Sequence, residues 1–236
     1  MSCAKLKLTL LIPLIVLMAC SAPVSQATDV EKAADKAVVK AKAELLEALA
    51  NYTLGDTITT EITKSIDAAV VKLEQAAGEP PKLTDMTEIL TGQWASLFSS
   101  QTWGNHGGGD SGLTTQMALQ ELNLEKSFYR NMKIMNAGEI PLLHISTAEL
   151  SLAKDVPNVF ELWFNHVEFV PARADVDLKE LRSVLGLSED AKLAVYMPSD
   201  AQTKSRSTVT FVDKDLRINR GKDSLEVLRK ITAAER

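Results

Sequence analysis

The chain has 236 residues, 26 Lys and Arg against 31 Asp and Glu, and a net charge of -5. That length is enough for one or two domains with a real core, and the acidic balance excludes the basic footprint of a nucleic-acid-binding protein. Its two cysteines, Cys3 and Cys20, both lie near the start, so the bulk of the chain holds no disulfide and no cysteine cluster for zinc.

Residues 1–19 read as a signal peptide. Lys5 and Lys7 precede the apolar run Leu8 to Ala19, which is too short for a comfortable membrane span. Leu17-Met18-Ala19-Cys20 resembles a bacterial lipoprotein cleavage box, with the Cys20 thiol as lipid attachment point. Cleavage after Ala27, behind Ser25-Gln26-Ala27, and an uncleaved anchor are the alternatives. Cleavage before Cys20 leaves 217 residues and lowers the basic count to 24, for a net charge of about -7. Ser21 rather than Asp follows Cys20. By resemblance to Gram-negative lipoprotein sorting, this implies the periplasmic face of the outer membrane.

Residues 20–29 read as a tether, and residues 30–78 as a helical hairpin. Ala34, Val38, Ala41, Leu45, Leu49 and Tyr52 recur at spacings of three and four, the period of one helix face. Gly55 is a stop signal. Ile62, Ile66, Val70 and Leu73 give a second stripe, which Gly78, Pro80 and Pro81 end. Neither helix carries the basic face with aromatic edges of a membrane-surface helix.

Residues 83–232 read as one antiparallel domain of short strands. Ala95, Leu97 and Phe98 suggest the first strand, and the loop Trp103 to Gly112 follows. Its triple glycine lacks the Lys-Ser/Thr of a phosphate-binding loop, so a mobile rim loop is expected. Phe128, Met132 and Ile134 share strand parity, and Leu142 lies on the strand after Asn136-Ala137-Gly138. Val159, Glu161 and Trp163 oppose Phe160, Leu162 and Phe164. Residues 175–186 form a short amphipathic helix that Asp175 could cap. Val195 lies on a strand from Lys192 to Met197, and Val209 and Phe211 share the parity of another. The predicted class is α+β: a lipocalin-like antiparallel β-barrel, or a strongly curved sheet, preceded by the helical hairpin.

The segment Asp213-Lys214-Asp215-Leu216-Arg217-Ile218-Asn219-Arg220-Gly221, with Val227 and Leu228 after it, resembles the C-terminal signature of the plastid lipid-associated proteins, also called fibrillins or plastoglobulins. Ile89, Leu90, Gly92, Trp94, Leu97, Phe98, Ser99 and Ser100 resemble a second block of that family, and Glu44 to Leu49 its helical lead-in. Together they span roughly residues 38–230, with departures at Phe98-Ser99 and after Asp223 that mark a distant member, and the lipoprotein-type signal at Cys20 makes it a bacterial one. The resemblance implies a lipocalin-like fold with helical additions, association with lipid globules or membranes, and binding of isoprenoid or other lipids.

Catalytic chemistry is hard to find. His106, His144 and His166 are not spaced as zinc ligands, and no Gly-x-Ser-x-Gly turn occurs. No enzyme activity, metal or cofactor is therefore expected. Asp213, Asp215, Arg217 and Arg220 read as a structural charge group. Arg220 shares the parity of Leu216 and Ile218 and needs an acidic or carbonyl partner if buried. Trp94, Phe128, Met132, Leu142, Trp163, Val195 and Phe211 are the candidates to line a cavity for a hydrophobic small molecule, open near Gly107 to Gly109. The expected function is a lipid-anchored envelope protein that binds or organises lipids or isoprenoids. Its partners are membrane lipid, through the N-terminal acyl anchor, and that ligand. A packed scaffold without ligand and an enzyme acting on a lipid-like substrate are the alternatives.

Overall fold

The computed structural model describes residues 24–54, 58–100, 113–198, 200, 202–232 and 235. The expected signal peptide, Cys20, Gly55 and the loop 103–112 lie outside them. Helix α1 spans Val24–Leu49 and α2 spans Thr60–Ala77. The first begins inside the stretch expected as a tether. Thr59 caps α2, its hydroxyl accepting from the Ile62 amide at 3.2 Å, so one orphan donor of the first turn is satisfied. Gly78, at φ +80°, ends it, its N–H bonding the Glu74 carbonyl.

A 3-10 turn (Leu83–Met86) and α3 (Thr87–Leu90) lead into the sheet. Its strands are β1 (Gly92–Ser99), β2 (Leu113–Asn123), β3 (Phe128–Ala137), β4 (Ile140–Leu152), β5 (Val159–Pro171), β6 (Ala194–Tyr196), β7 (Thr203–Val212), β8 (Leu216–Arg220) and β9 (Leu225–Lys230), with α4 (Leu178–Val184) between β5 and β6. All pairings are antiparallel, in the order β4-β3-β2-β1-β9-β8-β7-β5-β6, and β4 also pairs with β5. The fold is thus α+β, a helical pair followed by a large, strongly curved antiparallel sheet. Register shifts at Ser96/Phe98, Thr115/Met117, Thr147/Ala148 and Val209/Phe211 add local bend and twist.

The β-barrel description needs correcting to this nine-stranded curved sheet. Strand β5 divides one side between two partners: Val159 to Phe164 pair with β7, and His166 to Glu168 with β6. Similarly, β1 covers β2 only from Leu119 to Leu122. No helix among the described residues is long and apolar enough to cross a membrane.

The hairpin packs on the outer face of the sheet. Ala41, Leu45 and Leu49 of α1 and Ile66, Ala69, Val70 and Leu73 of α2 form one core with Phe98, Phe211, Leu216, Ile218, Leu225 and Val227. Of the expected stripes, Ala41, Leu45, Leu49, Ile66, Val70 and Leu73 are buried, and Val38, Tyr52 and Ile62 pack against them half-buried. Burial of each such Leu or Ile contributes about 1.5–3 kcal/mol.

Charged contacts fix the hairpin at both ends of β8. Lys42 of α1 donates to Asp213 at 2.6 Å and Asp215 at 3.3 Å. Arg220 makes a two-pronged contact with Glu74 of α2, at 2.9 and 3.0 Å, and a third with Asp67 at 2.9 Å. Those carboxylates hold the guanidinium above its usual range. The four residues expected as one charge group are thus three separate devices, with Arg217 on the opposite face.

Arg220→Ala should lower stability by about 1–2 kcal/mol, because the bidentate contact is only partly screened by water. Lys42→Ala should cost less than half as much, since its contacts are simple point-charge ones. Chemical denaturation of the two variants tests this, and equal losses would contradict the assignment.

Candidate functional site

The concave face is layered. Its floor consists of Trp94, Leu122, Tyr129, Ala148, Leu150, Phe160, Leu162, Val209, Val212 and Leu228, closed from below by Leu83 and Leu90. Trp94 is fully buried and donates its indole N–H to the Leu90 carbonyl at 2.9 Å. Gly92 approaches this point at φ +124°, and a Cβ there would lie 3.3 Å from the Lys230 ammonium. Lys230 in turn donates to the Thr91 carbonyl at 2.6 Å and lies 4.6 Å from the centre of the Trp94 ring. The Gly-x-Trp block is therefore a backbone and cation–π device at the floor.

At the other end, Met135, Ala137, Ile140 and Leu142 pack with Leu181 of α4. Asp177, rather than Asp175, caps that helix, accepting from the Lys179 amide at 2.8 Å and the Glu180 amide at 3.4 Å.

Between the two apolar layers lies a polar belt. Asn131 is in register with Gln120 on one side and Ser146 on the other, and Asn219 is in register with Glu226. Register partners share a face, so these five side chains converge, joined by Lys133, whose partner on β4 is His144. Gln120 bridges the belt: it accepts from Arg217 and donates to Glu226 at 3.0 Å. Arg217 is fully buried, 4.9 Å from the Trp94 ring centre, and Tyr129 donates to Asn131 at 2.9 Å.

Burial governs the ionisation here. It pulls Lys133 down to about 7, with the Glu226 carboxylate partly opposing. It lowers Arg217 to about 10, where the group is still charged at neutral pH. The Tyr129 phenol is pushed well up by burial and by Glu226.

These layers line a cavity of about 1120 Å³, slightly larger than the roughly 300–1,000 Å³ usual for small-molecule sites. Phe160, Leu162, Phe164, Val167 and Phe169 of β5 give it an apolar wall. Gln120, Asn131, Lys133, His144, Ser146, Asn219 and Glu226 give it a polar one.

None of the seven residues expected to line the cavity is on its wall. Phe128 and Met132 project from the outer face of β3, where Arg130 lies 5.7 Å from the Phe128 ring centre. The inward residues of that strand are Tyr129, Asn131, Lys133, Met135 and Ala137. Trp163 faces outward under Lys204, 4.9 Å from its ring centre. Val195 is exposed, and Phe211 is buried beneath the hairpin because the irregularity between Val209 and Phe211 turns them to opposite faces. Leu142 and Trp94 do point inward, but into the two packed ends.

The sequence reading missed the polar belt and the β5 wall. Lys133 offered one signal, because its parity set includes Tyr129, Met135 and Ala137. An extra residue in β5, Asn165, explains the wall: Thr147 pairs with His166 but Ala148 with Phe164. Inward positions therefore change from even to odd, from Phe164 to Val167.

The arrangement is an amphipathic cavity, open on one side, in the concave face of a curved antiparallel sheet backed by a helical pair. The family model PAP_fibrillin matches residues 39–229, so the chain belongs to the PAP/fibrillin family of lipid-associated proteins anticipated from its signature segments. No curated protein matches the chain. The family is non-catalytic, and among the described residues no group of three or more His, Cys, Asp and Glu could hold a metal.

Lys133 is charged in the unfolded chain up to about pH 10.5 but in the fold only to about 7. The unfolded state therefore binds more protons between those values, and stability rises as pH increases through that window. Lys133→Met should accordingly raise the melting temperature most at pH 6, with the gain shrinking toward pH 10. Melting curves across that range check it, and a gain that grows with pH would contradict the burial assignment.

Proposed function

We propose that this protein takes an apolar small molecule, a lipid or isoprenoid, into the concave face of its sheet and holds it at a bacterial envelope through an acylated Cys20. Membership in a lipid-associated family supports a general lipid-binding or scaffolding role. The observation that carries the more specific reading is the cavity of about 1120 Å³ with an aromatic and aliphatic wall on β5. A ligand moved there from water leaves its apolar surface dry, worth about 25 cal/mol per Å². A scaffold needs no such space.

The anchor rests on sequence. Leu17-Met18-Ala19-Cys20 ends an apolar run, and α1 begins at Val24, four positions later. Two acyl chains with an N-terminal third give stable attachment, where one gives only marginal binding. Ser21 favours the periplasmic face of the outer membrane as the place of attachment.

Lipid extraction of the purified membrane form, followed by mass spectrometry, should recover a stoichiometric hydrophobic compound. Ser146→Phe, which fills the middle of the cavity, should abolish uptake of a fluorescent polyene in a protein that keeps its circular dichroism spectrum. Trp163→Ala should leave uptake intact, because that ring lies on the outer face. No uptake by the unmodified protein would defeat the binding reading and leave the scaffold standing. Cys20→Ala should release the protein from the membrane fraction, and a mature N-terminus at Thr28 without lipid would refute the anchor.

A further inference from the structure

The charges on the cavity wall are already met. Lys204 and Arg206 pair with Glu161, Arg206 also with Asp155, and Arg220 with Asp67 and Glu74. Lys222 and Asp223 are neighbours in the exposed turn at the rim. Deeper in, Gln120 bridges Glu226 to Arg217, which is buried behind the wall, and burial draws Lys133 toward its neutral amine. A head group of either charge would unbalance the Arg217–Glu226 pair in a low-dielectric interior. The site therefore favours a neutral ligand.

Asn219 is different. It is 5 % exposed and lines the cavity, and its side-chain oxygen has no hydrogen-bond donor among the described residues. The belt groups around it are committed: Gln120 at both ends of its amide, the Asn131 oxygen to Tyr129, and Lys133 and His144 to interactions of their own. Beside Asn219, at its register position on β9, stands the Glu226 carboxylate, a second acceptor. Two acceptors side by side call for a ligand that brings a donor.

The surroundings set the rest of the ligand. Ser207 lies two positions along β7 from Val209, the register partner of Asn219, and lines the cavity with a hydroxyl that can donate to an incoming oxygen. Phe164, Val167 and Phe169 continue the wall along β5 without a hydrogen-bonding side chain, which suits a hydrocarbon. A ligand hydroxyl is donor and acceptor at once, so it serves the Asn219 amide in either orientation. An ether, an ester or a plain hydrocarbon brings no donor and leaves the Asn219 oxygen buried and unsatisfied.

We infer that the cavity binds a long-chain or isoprenoid alcohol, with its hydroxyl on Asn219 beside Glu226 and its hydrocarbon along the inner face of β5. This assignment rests on the binding role proposed above and narrows it to a neutral, donating head group and one orientation. Fatty acids, esters and hydrocarbons are then the weaker ligands.

The test compares a fluorescent C18 polyene alcohol, its methyl ether and the matching carboxylic acid on the intact, folded protein at pH 7.5. The alcohol should bind at least tenfold more tightly than either. Apolar burial alone favours the ether, which carries one more methyl group, so the expected order is the reverse of simple partition. In Asn219→Leu the alcohol-to-ether ratio should collapse toward one, and Asn219→Val gives the same comparison if the leucine variant does not fold. An alcohol that binds no better than its ether, or an unchanged ratio in the folded variant, would overturn the head-group assignment while leaving the binding role intact. Tighter binding of the acid would overturn the neutral head group. If none of the three enters, the binding role itself fails.

Discussion

Strand β8 is buried on both faces, and most of the fold is arranged to satisfy its five residues. Leu216 and Ile218 need an apolar cover on the outer face, which the hairpin supplies. Arg220 on that same face needs anions, which α2 supplies as Glu74 and Asp67. On the inner face Arg217 cannot reach water, so the Trp94 ring and the Gln120 amide solvate it instead. Removing any of these partners would strand a charge or an apolar face in the wrong medium.

The belt and the hairpin are consequently linked through one short strand. Arg217 hands its charge through Gln120 to Glu226, which pairs in register with Asn219. Asn219 and Arg217 are held at their depth because Leu216, Ile218 and Arg220, alternating with them, are clamped from outside. The turn after β8 adds a further constraint, since the Ser224 hydroxyl occupies the space beside Gly221 where a Cβ would stand, 2.2 Å away. Any larger residue at Gly221 would have to displace it. The signature segment thus positions the cavity's polar groups without supplying most of its wall.

Strand parity is where the reading of residues and the folded structure diverge, and the hairpin between β3 and β4 shows how. Apolar character favoured Phe128, Met132 and Ile134 as the inward set of β3. The register pairs Ala137 with Ile140 and Met135 with Leu142, so an inward Leu142 requires an inward Met135. Met132, at opposite parity, must then face out. A one-residue change of parity moves a whole strand's side chains to the other face, and an interior with a polar belt reverses the usual apolar-in signal. The turn geometry held the answer, but only once both strands were placed together.

The sequence by itself determined the α+β class, both helices and their buried stripes, the approximate strand boundaries and the family. Each of these is written in local period, in breakers such as Gly78 and Pro80, or in contiguous signature residues. Tertiary structure alone decided which face of each strand became the interior. That choice depends on bulges at Asn165 and between Val209 and Phe211, and on contacts between residues far apart in the chain. Gln120 meets Arg217 and Lys42 meets Asp213 only because the sheet curls and the hairpin docks behind it. No periodicity within a single strand carries that information, because the same alternation is compatible with either face until its neighbours are paired.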